Sequence, residues 1–137
     1  MEFVLTEEQK KWAERGKRGA SAAELRALVV KQSGLCALSS VTLLFNKKKD
    51  GTAIAEGEGC HPLYAAVDHI DPGNPKGGHQ IICYALNDLK GHLPVECFEA
   101  LKGTEAWRDL MRRWRELAER DSTNRKAFRR LLRPNAN

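Results

Sequence analysis

The chain has 137 residues, the size of one ordinary domain, and its 42% hydrophobic and 30% charged content is that of a globular protein. No stretch approaches the roughly 20 continuous apolar residues of a membrane helix, and the N-terminus lacks the basic-then-apolar layout of a secretory signal. Cys36, Cys60, Cys83 and Cys97 form no Cys-x-x-Cys pair and read as reduced thiols in a cytoplasm, while a net charge of +5 points to an acidic partner, most often nucleic acid.

In chain order, Thr6-Glu7-Glu8-Gln9 and Ser21-Ala22-Ala23-Glu24 both match the capping box that opens a helix. The first helix is expected from about Glu7 to Arg18, with Trp12 among charges. The second buries Leu25, Leu28 and Val29 at helical spacing and stops at Gly34. From Cys36 to Phe45, β-branched and apolar residues predict a strand or two; Asn46 to Gly59, rich in Lys, Asp, Gly and Glu, predicts an exposed loop.

A second apolar run, Tyr64 to Ile70, predicts a strand that ends on Asp68-His69. The following Asp71-Pro72-Gly73-Asn74-Pro75-Lys76-Gly77-Gly78 continues neither helix nor sheet. Ile81, Ile82 and Cys83 then lead into a short helix from about Tyr84 to Lys90, ended by Gly91, and Pro94 opens another that includes Phe98 and Leu101. Thr104 caps a long helix with an apolar stripe of Trp107, Leu110, Met111, Trp114 and Leu117. Ser122 starts a last helix through Phe128, Leu131 and Leu132, and the Asn-Pro-rich end reads as disordered.

Asp68, His69 and Asn87 are the candidates for chemistry. A carboxylate beside an imidazole, with a carboxamide on a nearby short helix, can hold one hard divalent cation and leave a base free to activate water. Taken singly, the Asp-His pair also fits a capping carboxylate beside a satisfied histidine, and Asn87 an ordinary turn residue. Successive strand residues point to opposite faces, so the strand is expected to end or bend at Asp68-His69 if both are to serve one site. His61 with Cys60, Cys36 and Cys83 is a weaker candidate for structural zinc.

Asp68-His69-Ile70-Asp71-Pro72, the glycine loop and Cys83-Tyr84-Ala85-Leu86-Asn87-Asp88-Leu89-Lys90-Gly91 together resemble the HNH endonuclease family, over roughly Cys36 to Phe98. The resemblance implies an α+β fold: a ββα-metal core over residues 36–102, preceded by N-terminal helices (1–34) and followed by a basic helical extension (104–133), all in one domain. It makes His69 the general base, Asp68 and Asn87 the ligands of one cation, Mg²⁺ or Mn²⁺ by their hard oxygen donors, and duplex DNA the substrate. The family's middle Asn is unmatched: Gly77-Gly78-His79-Gln80 stands there, and His79 is the candidate loop brace. That departure favours a second reading, a ββα DNA-binding module with weak or lost chemistry.

From Thr104 to the end, ten Arg and Lys oppose five Asp and Glu, which accounts for the whole net charge. Pairs such as Arg112 with Glu116 and Arg115 with Glu119 neutralise part of it. Arg125, Lys126, Arg129 and Arg130 remain as a candidate grip on DNA backbone, and Lys90, on the same helix face as Asn87, as a candidate phosphate contact. No appended zinc finger or helix-turn-helix is recognisable, so low sequence specificity is expected.

Overall fold

The computed structural model describes residues 2–46, 61–74 and 76–120, so the predicted helix from Ser122, the loop beyond Asn46, Cys60, and Arg125, Lys126, Arg129 and Arg130 lie outside the described residues. Within them the fold is mixed α+β, with five helices and a two-stranded antiparallel sheet. Among the described residues no helix is long and apolar enough to cross a membrane.

Helix α1 (Glu7–Ala13) starts as expected: Thr6 Oγ1 accepts from the Gln9 N–H, and Gln9 Oε1 accepts in return from the Thr6 N–H. It ends well before Arg18, because Gly16, Arg18 and Gly19 take left-handed φ values of 68°, 54° and 85° and fold the chain into a turn closed between Lys17 and Ala20. A Cβ on Gly16 would stand 2.7 Å from the Ala20 carbonyl oxygen. Gly16→Ala is therefore expected to lower stability by about 1–3 kcal/mol, read as a drop in the urea midpoint; an unchanged midpoint would show that the turn can relax.

Helix α2 (Ala22–Gln32) is capped by Ser21, which accepts from the Glu24 N–H, and it stops at Ser33 and Gly34, both left-handed. Cys36 to Phe45 forms no strand. Isolated bridges join Leu35 to Thr42 and Leu44 to Tyr64, and Ser40 at φ 64° folds the segment back so that the Cys36 N–H donates to Val41 O. The apolar residues there mark a buried loop instead: Cys36, Val41, Leu43, Leu44 and Phe45 are all core.

Strands β1 (Ala65–His69) and β2 (His79–Cys83) pair antiparallel with Ala65 opposite Cys83 and His69 opposite His79. Helix α3 (Tyr84–Gly91) follows β2 without a break; α4 (Val95–Lys102) starts at Pro94, and α5 (Glu105–Arg120) follows. The hairpin is buried on both faces, by Val67, Ile81 and Cys83 on one and Ile82 on the other, as expected of a sheet layered between helices. Trp12, set among charges in sequence, is a core anchor: its Nε1 donates to Ala65 O at 3.3 Å and its ring meets Phe45 edge-on at 5.2 Å. On α5 the buried stripe runs through Trp107, Met111 and Ala118, while Leu110 is 46% exposed.

Candidate active site

The start of α3 is fixed by backbone bonds from Tyr84 N–H to Tyr64 O (2.9 Å) and Ala85 N–H to Pro62 O (3.0 Å). From that anchor the helix lies along β1. Six residues later, Lys90 Nζ donates to Asp68 Oδ2 at 2.5 Å and to His69 O at 2.9 Å, tying the far end of α3 to the end of β1. Both side chains are only 11% exposed. Gln80, opposite Asp68 in the ladder, donates its Nε2 to the same Oδ2 at 2.9 Å. Lys90 is thus the internal counter-ion of Asp68, neither solvated nor displayed for a phosphate.

The strand neither ends nor bends before His69, which still pairs with His79. Alternation then directs Asp68 toward α3 and His69 toward α2. The His69 ring lies 4.9 Å from the His79 ring, with 50° between their planes. His79 Nδ1 is 2.9 Å from Glu24 Oε2, and its Nε2 is 3.2 Å from Arg18 O. Both partners are acceptors, so only the doubly protonated ring donates to both. His79 braces the hairpin onto α2 and the turn after α1, while the His69 ring makes no hydrogen bond with a described residue and stays available to water or substrate.

Asn87 lies beside Ala66 and Val67 in a groove of about 330 Å³ rather than at the Asp68 carboxylate, and its carboxamide has no hydrogen bond to a described residue. The predicted Asp68–Asn87 pair is therefore not joined directly. Among the described residues no three His, Cys, Asp or Glu side chains gather as a metal cradle. Mg²⁺ needs less than that, since it keeps several waters and takes one or two protein oxygens together with substrate phosphate. Asp68 Oδ1 and the Asn87 side-chain oxygen, neither bonded to a described residue, are hard oxygen donors of the type such a cation takes, while Lys90 holds the other Asp68 oxygen.

His92 sits 3.4 Å from Asp88 on the exposed side of α3, and His61 accepts at Nδ1 from the Leu63 N–H. On α5, Arg112 pairs with Glu116, but Arg115 donates to Ser39 O instead of reaching Glu119. Arg113 and Arg112 beside Asp109 hold its carboxyl below the usual range. Glu24, Gln80 and Arg18 had no sequence signal as site residues; Glu24 matched a capping box, yet its carboxylate reaches across to His79.

At the start of α3, Cys36 and Cys83 are buried in contact, with the Cys83 N–H donating to Cys36 Sγ at 3.4 Å. Hydrogen bonding from the Cys83 thiol, opposed by burial and helped by Ser39, brings the Cys36 thiol down from 9.0 to about 6. The same contact, with burial, pushes Cys83 up. A depressed folded value stabilises the protein above the unfolded value and loses that stabilisation as pH falls through the folded one. Stability relative to Cys36→Ala is therefore expected to rise between about pH 6 and pH 9; parallel unfolding free energies across that window would rule the coupling out.

No protein-family model matches this chain, and comparison with curated proteins and with solved structures likewise yields no match.

Proposed function

We propose that this chain is an HNH-type endonuclease that hydrolyses DNA phosphodiester bonds with little sequence preference, using water activated by His69 and one divalent cation, Mg²⁺ or Mn²⁺. The observation that carries the reading is the continuous hairpin-then-helix unit: Asp68-His69 closes β1, and α3 returns Lys90 to that dipeptide. Such a unit carries the imidazole and the carboxylate on adjacent residues at the end of β1 and the carboxamide on the helix that packs along that strand.

In this reading His69 takes the proton from the attacking water, a role open to a neutral imidazole near neutral pH. His79, held by Glu24, packs against the His69 ring and orients it. Asp68 and Asn87 would hold the cation, which when bound supplies charge stabilisation at the reacting phosphate. Lys90 balances Asp68 otherwise, and sits one hydrogen bond from the His69 carbonyl.

The Lys90–Asp68 ion pair, and the opposite directions of Asp68 and His69, favour a second reading: a ββα module that binds DNA without efficient cleavage. Supercoiled plasmid incubated with the protein in Mg²⁺, Mn²⁺ or EDTA decides between them. Metal-dependent conversion to open circle, absent in EDTA and in His69→Ala, is the expected result. A single site per chain should give open circle before linear product. Binding without cleavage in any metal would leave the second reading standing.

A further inference from the structure

Two of the five arginines of α5 are ion-paired: Arg112 pairs with Asp109 at 2.6 Å and Glu116 at 2.9 Å, and Arg113 pairs with Asp109 at 2.9 Å. The turn after α1 is different. Arg15-Gly16-Lys17-Arg18-Gly19 carries three cations in five residues, and Arg15 and Arg18 are exposed with no ion pair to a described residue. Lys17 lies with its Nζ 5.4 Å over the Trp12 ring. The turn's shape is set by three left-handed residues, by the Lys17–Ala20 bonds, and by the Arg18 carbonyl accepting from His79. Arg15 and Arg18 are therefore displayed from a hydrogen-bonded turn, which reduces the ordering penalty of binding.

A groove of about 330 Å³ is lined by Lys17 and Arg18 of this turn, by Ala66 and Val67 of β1, and by Tyr84 and Asn87 of α3. Lysine, arginine, tyrosine and asparagine are side chains that donate to phosphate oxygens. The β1 residues Ala66 and Val67 that line it lead directly into Asp68-His69.

We propose that the turn Arg15–Gly19 grips nucleic-acid phosphates and feeds one backbone of duplex DNA through this groove to the Asp68-His69 end of β1. The proposal rests on the nuclease reading and adds the element that positions its substrate.

The test is binding of a fluorescent DNA duplex to the full chain carrying His69→Ala, in EDTA, across a range of NaCl concentrations. Arg15→Gln with Arg18→Asn removes two charges while keeping a residue that tolerates the left-handed position. The slope of log K against log[salt] is expected to become shallower by roughly 2, with affinity at least about tenfold weaker. Arg15→Lys with Arg18→Lys should keep the native slope, and so should Arg112→Gln with Arg113→Gln. A slope unchanged in the Gln/Asn variant, in a protein whose His69 form cleaves plasmid, overturns this proposal alone. No salt-dependent binding by the parent overturns it together with the nuclease reading.

Discussion

His69→Ala is expected to reduce the single-turnover rate of plasmid nicking in Mg²⁺ by about 10²–10⁴-fold, the range that a positioned general base contributes. The fold should survive. The His69 ring is half-buried, and its one ring contact among the described residues is with His79. Its loss should shift stability by less than about 1 kcal/mol, since neither a bonded polar group nor a filled core position is removed. His79→Ala is expected to behave in the opposite way. It breaks the bonds to Glu24 and the Arg18 carbonyl, so stability falls measurably while the rate falls less than in His69→Ala. A His69→Ala protein that nicks at the native rate would remove His69 from the chemistry. If His79→Ala were the more damaging of the two for the rate, the roles assigned to the two rings would be reversed.

The contrast between these two histidines also shows what a sequence can and cannot carry. The ends of β1 and α3 were legible because the signals are local: an apolar run stopping at a proline-glycine loop, and a helix entered at Tyr84 and left at Gly91. The register that opposes His69 to His79 depends on how the hairpin closes across that loop, and no single residue announces it. Cys36 to Phe45 misled for a related reason. Buried β-branched residues suit a strand and a buried loop equally, and Ser40 in a left-handed conformation decided for the loop. The partners of Glu24 and Lys90 are long-range. Glu24 meets His79, 55 positions away, and Lys90 meets Asp68, 22 positions away, so each could be read only as a local cap or a helix-face charge. Charge density along the C-terminus is visible in sequence, whereas the left-handed turn that displays Arg15 and Arg18 depends on backbone conformation that no composition announces.

Lys90→Met should be the most destabilising single change at the site, by about 3–5 kcal/mol, because it strands a carboxylate that is 11% exposed with Gln80 as its remaining donor. Methionine keeps much of the aliphatic stem that runs past Phe98, whose ring lies 5.9 Å from Nζ, so the loss reports charge more than packing. A double-mutant cycle with Asp68→Asn separates the two. Asp68→Asn with Lys90→Met leaves no buried charge, and is expected to recover most of the stability lost by Lys90→Met alone, a coupling of about 2 kcal/mol or more. Additive losses in urea unfolding would mean that Lys90 matters through its stem and its bond to the His69 carbonyl, and that Asp68 carries no dependence on an internal cation. With coupling, Asp68 is a carboxylate that the fold holds only against positive charge. Mn²⁺ should then bind Lys90→Met more tightly than the native protein and should raise the variant's melting temperature by more, since ligand binding to the folded state adds stability in proportion to RT ln(1 + [L]/Kd).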